Sequence, residues 1–440
     1  MPTEYNRSVK FRAALKREIP AWTEQGILTE DSVGRLRSLY ELDDLGKESS
    51  RLLSALLFTF GSLLIGGGVI SFVAAHWDEI SRGPKVALLF VALLVFYIAG
   101  YWLRYRSQWP RLGHALIFCG CLVFGANIGL LAQIYQVSGP WYGMFGVWAL
   151  GSLAMAWAAQ SWLTGVLVIV TSFTWFAGFA DDFHERLAIV YPPLLAAALL
   201  PLAWKIRSRA LYTLTFLGLI YSLPTLAYFR FNIDRYALIA SAAVGFVAWA
   251  VGEFHRATGI RKEFGNPVTN LGLAALAITA YMWSFHWIWQ QWRYFDENRR
   301  PYWLILAGVA IAIGAAALAK AWSWMDDSQK RYATGLMAAS LLLCLSPLLN
   351  RFGEAWPTVA VNAAALIIAA VLIGKGFVEE WRSAFWAGTL FVATLIVSRF
   401  FEYESSLLLK SAAFIGCGAV TILAGVAYEK FMHRREAVAQ

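Results

Sequence analysis

From Leu52 onward the chain alternates long apolar runs with short polar turns, whereas residues 1–51 mix the two. In that first stretch Phe11, Leu15, Ile19 and Trp22 recur at helical spacing, predicting an amphipathic helix. Gly26 closes it, and Thr29 or Glu30 opens a second helix carrying Val33, Leu36 and Tyr40. Residues 1–51 are therefore expected to form a cytosolic helical hairpin. So small a unit holds little core of its own. It is expected to dock on the membrane domain, on a protein partner or on itself.

The apolar runs predict membrane helices near 52–75, 84–103, 112–132, 141–160, 162–180, 187–204, 210–228, 236–252, 268–290, 302–322, 332–349, 356–374, 383–400 and 407–429. The expected fold class is all-α: a polytopic α-helical membrane protein of about 14 transmembrane helices. The bundle is placed at 52–430 and a cytosolic tail at 431–440.

Composition agrees with lipid as the solvent, since 59% of the 440 residues are hydrophobic and only 15% charged. The net charge of +9 does not point to nucleic acid, because the Lys and Arg sit in turns and tails. With the amino terminus placed in the cytoplasm, 26 of the 37 fall on the cytoplasmic side, which favours both termini inside. All 28 Asp and Glu are placed in loops or tails, an argument against a buried carboxylate relay for protons or sodium. Cys119, Cys121, Cys344 and Cys417 lie in apolar runs and suggest neither a disulfide framework nor a metal site.

Two rows of small residues, Gly67, Ser71, Ala75 and Cys121, Gly125, Gly129, predict contact between the first and third membrane helices. Pro192, Pro193, Pro201, Pro224 and Pro347 interrupt helices, with Ser222 and Ser346 near enough to take up freed carbonyls. The deep polar residues are neutral: His114, Asn127, Asn270 and Asn362, with Gln133 at an end. Each is expected to make an interhelical hydrogen bond worth about 1 kcal/mol.

Three outer-face features are candidates for chemistry. The uncharged turn with Gln133, Tyr135, Gln136, Trp141 and Tyr142 joins amides to aromatic rings, a set suited to a neutral ligand or to bonding with backbone. Two polar loops carry His76, Asp78 and Glu79, and Asp181, Asp182, His184 and Glu185. These are either solvated loops or acid, base and cation ligands. The run from Tyr281 to Phe295 reads as an aromatic girdle, or as a stacking platform using Trp287, Trp289, Gln290 and Trp292. Motifs for phosphate-binding loops, zinc hydrolases, nucleophile elbows and redox dithiols are missing, so no catalytic residue, cofactor or metal is assigned.

REIPAWTEQGILTED (17–31), FVAAHWDEI (72–80) and FGANIGLLAQIYQVSG (124–139), in this order, resemble the bacterial predicted membrane proteins grouped as domain of unknown function 2157. The likeness covers roughly residues 10–160, with His76-Trp77 where that family's pattern usually reads Asn-Trp. It implies a bacterial inner-membrane protein with a cytosolic hairpin and supplies no catalytic residues. The leading expectation is a non-enzymatic protein that transports or senses a neutral or lipid-like molecule, with membrane lipids as partners. The alternatives are an enzyme using the two outer polar loops on a lipid-linked substrate, and an assembly factor recruiting a partner through the hairpin.

Overall fold

The computed structural model describes residues 9–40, 80–182, 190–231, 235–291, 302–402 and 406–439, and helices are the only regular structure among them. The chain divides into two units, residues 1–89 and 90–440. In the first, α1 (Val9–Glu24) and α2 (Glu30–Leu39) pack on each other. Gly26, at φ +71°, lets the chain reverse so that Ile27 N–H reaches the Trp22 carbonyl at 2.9 Å. Glu30 and Asp31 then sit in the first turn of α2, where its dipole favours negative charge. Ile19 is buried, as its place in the apolar stripe requires.

The remaining helices are α3 (Arg82–Tyr105), α4 (Pro110–Ile134), α5 (Gly143–Ala158), α6 (Trp162–Asp182), α7 (Tyr191–Lys205) and α8 (Arg209–Phe231). They continue with α9 (Arg235–Thr258), α10 (Lys262–Met282), α11 (His286–Gln291), α12 (Tyr302–Ala321), α13 (Asp327–Leu349), α14 (Ala355–Val378), α15 (Arg382–Glu402) and α16 (Leu407–Ala439). The expected run at 52–75, with its row Gly67, Ser71, Ala75, lies outside the described residues. Eight described segments, in α3, α4, α6, α9, α13, α14, α15 and α16, are long and apolar enough to cross a membrane. At 16 and 15 residues, α5 and α7 fall short of the roughly 20 that a perpendicular crossing takes. The chain is a membrane protein, and its outward side chains agree: on α16, Ile415 and Leu423 are 71% and 67% exposed, a liability in water but the rule in lipid.

Two large clusters make up most of the interior described for residues 90–440, with smaller ones around Ile239 and Ala243 and around Phe385, Tyr428 and Met432. One large cluster joins α6, α7 and α8 to α9 and α10 around Phe176, Leu199, Leu211 and Phe264; the other joins α9 and α10 to α12, α13 and α14 around Trp249, Leu276, Leu336 and Ile368. The α9–α10 hairpin belongs to both. It closes on the three-residue turn 259–261, where Gly259 and Arg261 have φ of +71° and +52°. Along the α9–α10 seam Gly245 lies against Leu276, Gly252 against Thr269, Gly265 against Arg256 and Gly272 against Trp249, so close that a Cβ at Gly272 would stand 2.2 Å from the Trp249 backbone nitrogen. In α4, Gly125 lies flat under the Trp148 indole of α5, whose Nε1–H donates to the Cys121 carbonyl at 2.8 Å.

Proline is accommodated locally. Pro347 leaves the Leu343 carbonyl without its helical donor, and Ser346 Oγ donates to that oxygen at 2.9 Å. Ser222 instead donates to Leu219, one residue before the carbonyl that Pro224 frees. Asn362 donates to the Ser284 carbonyl, in the turn between α10 and α11, at 2.9 Å and to the Thr358 carbonyl of its own helix at 2.8 Å, whereas Asn270 is exposed.

Helix α13 opens with a reciprocal cap: Asp326 accepts from Gln329 N–H at 2.7 Å and the Gln329 side chain accepts from Asp326 N–H at 3.3 Å. Hydrogen bonds from the Ser328 hydroxyl and the Gln329 amide hold the Asp326 carboxyl below its ordinary range. A depressed carboxylate stabilises above its unfolded pKa, and that stabilisation is lost as pH falls through the folded value. Asp326→Ala is expected to cost about 1 kcal/mol of local stability, giving roughly fivefold faster amide exchange in the first turn of α13. The difference from wild type should vanish once the pH lies below the carboxylate range.

Candidate functional site

Between α5, α6 and α7 the side chains leave a crevice of about 390 Å³. Small residues on two of the three helices, Gly143 and Gly146 on α5 and Ala198 on α7, leave space beside Val168 and Trp175 of α6. The indole of Trp175 lies across Gly146, 2.8 Å from where a Cβ would stand. On the far wall Tyr191 is buried, with its ring stacked on Phe176 at 4.3 Å. One polar pair interrupts this lining, Ser172 Oγ and Tyr191 Oη at 3.1 Å. Leu150 and Leu194, at 69% and 60% exposed, give the crevice an apolar, exposed rim. A hydrocarbon or ring system bearing one hydroxyl or carbonyl suits such a space; an ion does not.

The uncharged turn lies at the edge of this crevice and does not line it. Tyr142 is buried against Gly178 and Phe179 of α6 and stands one residue before Gly143. Trp141 is exposed, its ring 5.9 Å from that of Tyr142. Gln133, Tyr135 and Gln136 are exposed at the end of α4, where Gln136 takes φ +51° and Val137 N–H returns to the Ala132 carbonyl. Of the five residues, the structure brings Trp141 and Tyr142 together. His76, Asp78, Glu79, His184 and Glu185 lie outside the described residues, and Asp181 and Asp182 are described as the last backbone turn of α6. The aromatic run is divided: Trp289 is fully buried and donates to the Trp283 carbonyl at 3.0 Å, while Trp287 is exposed, so the two do not share a platform. Trp292 lies outside the described residues.

The placement of every carboxylate in loops or tails is corrected. Glu253 lies inside α9 and is 5% exposed, opposite Lys375 inside α14 at 2%. Helices α9 and α14 both run past these charges because each compensates the other. Lys375 Nζ and Arg256 donate to Glu253 at 2.8 and 3.0 Å, and Arg256 donates to Glu379 at 2.8 Å. At the other end of α14, Arg399 and the His286 backbone N–H both donate to Glu402, and His286 lies 3.2 Å from Thr358 and 3.8 Å from Glu354. Glu354 and Lys375 are 21 residues apart, about 30 Å along a helix. That separation is about the thickness of a bilayer's hydrocarbon. Glu253 is held by two cations, an arrangement that ties helices together.

No curated protein and no solved structure matches the chain. Residues 20–165, a third of the chain, match the family described as Predicted membrane protein (DUF2157), and the match ends in the first turn of α6, within the helices that form the crevice.

Proposed function

We propose that this protein is a multi-pass protein of a bacterial inner membrane that binds a neutral or lipid-like molecule in the crevice between α5, α6 and α7, and transports or senses it. The carrying observation is the apolar space of about 390 Å³ with a single uncharged polar pair, Ser172 and Tyr191. In this reading the shorter apolar helices and the run at 52–75 also cross, giving about fourteen spans, and the positive bias of alternate turns places both termini in the cytoplasm. Trp141 and Tyr142 flank the entrance.

Native mass spectrometry of the gently solubilised protein tests it. Wild type is expected to retain a lipid or small neutral molecule, and Ala198→Trp, which fills the crevice, to lose it without a change in melting temperature. Tyr191→Phe should weaken retention by roughly fivefold, the value of one hydrogen bond of about 1 kcal/mol. Equal retention by wild type and Ala198→Trp would sink the proposal.

A further inference from the structure

A second cavity, also about 390 Å³, lies where α3 turns into α4 and is lined by Arg104, Pro110, Arg111, His114 and Trp162. Its chemistry differs from that of the crevice. Arg104 NH1 and His114 Nδ1 are 2.8 Å apart, and His114 Nε2 and Ser161 Oγ are 2.8 Å apart. A guanidinium is a donor only, so Nδ1 accepts and the ring proton resides on Nε2, from which it is donated to Ser161. Ser161 Oγ is fixed in turn by the N–H of Thr164 at 3.2 Å and its hydroxyl at 2.9 Å. Through this chain His114 pins one amine of Arg104 and leaves the rest of its fork open.

Among the described residues no carboxylate pairs with Arg104 or Arg111. Arginines that serve only to orient a membrane protein need no fixed geometry. Here a guanidinium fixed by a hydrogen bond to His114 lines the same cavity as a second arginine, at the ends of two membrane-length helices. Trp162, partly exposed at the rim, is the side chain expected at headgroup depth. We infer that this cavity binds a phosphate group, recognised by the forks of Arg104 and Arg111 and supplied by an anionic lipid headgroup or by soluble phosphate.

Binding of phosphatidylglycerol and of phosphatidylcholine to the full-length protein in detergent, each with and without added inorganic phosphate, tests this by native mass spectrometry. Wild type is expected to prefer phosphatidylglycerol or, if soluble phosphate is the ligand, to bind inorganic phosphate directly. Arg104→Gln and Arg111→Gln should each weaken that binding about tenfold, the scale of a charge-assisted hydrogen bond. Arg106→Gln removes the same charge from the same turn but does not line the cavity, and should change binding less than about twofold. Arg111 is exposed and makes no side-chain hydrogen bond among the described residues, so Arg111→Gln tests the site without threatening the fold. Competition by inorganic phosphate assigns the site to a soluble ligand, and lipid binding indifferent to it assigns the site to the headgroup. Equal losses from Arg106→Gln and Arg111→Gln, or neither lipid preference nor phosphate binding in wild type, would overturn the inference.

Discussion

Lys375→Met is expected to be among the most destabilising single substitutions, lowering stability by about 3–5 kcal/mol. The ammonium it removes is 2% exposed and lies 2.8 Å from Glu253, itself 5% exposed. Without it, Glu253 and Glu379 must share Arg256, and Glu379 Oε1, which already lacks a hydrogen-bond partner, also loses the ammonium 3.9 Å away. A buried charge stripped of its partner keeps its desolvation cost and loses the attraction that offset it. The double variant Glu253→Gln with Lys375→Met removes one charge of each sign and should therefore cost less than the sum of the two single changes. Melting followed by tryptophan fluorescence in mild detergent measures all three. Additive losses, or a single loss under about 1 kcal/mol, would mean that the pair is not held as described.

Gly272→Leu is the second large effect, expected to cost about 3 kcal/mol or more and to lower the yield of folded protein. The obstacle to a side chain here is backbone: Trp249 N at 2.2 Å and Trp249 Cα at 2.6 Å from the Cβ position. No rotamer change relieves that, so α9 and α10 would have to separate along a seam that the two large interior clusters share. Gly416→Leu on α16 is the control, since nothing lies within 4 Å of its Cβ position, and it should melt within about 0.5 kcal/mol of wild type. Similar melting of the two variants would show that the seam is looser than its distances say.

Helix positions were legible because hydropathy and helix length answer to the same quantity, the thickness of the hydrocarbon. The expected 84–103 and 356–374 became Arg82–Tyr105 and Ala355–Val378. What hydropathy hides is compensation between helices. The expected runs 236–252 and 356–374 each stop one residue short of a charge, Glu253 and Lys375. A single segment read alone ends at a charge; only the fold reveals that the two charges meet. The glycine seam was missed for a different reason. The small-residue rows that stand out in the sequence repeat every four, whereas Gly245 and Gly252, like Gly265 and Gly272, repeat every seven. The crevice left still less trace, because Gly146, Ser172 and Ala198 come from three helices and no period connects them. The turn from Gln133 to Tyr142 was conspicuous as sequence, and in the fold it closes α4 and caps α5 beside the crevice.

The two charged layers on α14 also make that helix a ruler. With Glu354 and Lys375 about 30 Å apart, the apolar stretch between them matches the hydrocarbon of a typical bilayer, and neither end can slide inwards without dragging a charged side chain into the tails. A helix anchored only by exposed lysines can snorkel and tilt to suit a thinner or thicker membrane. One whose charges are tied to α9, and through Ser284 and Arg399 to the neighbouring helices, cannot adjust alone. Hydrophobic mismatch would therefore be met by deformation of the surrounding lipid, or by movement of α9, α14 and α15 as one body.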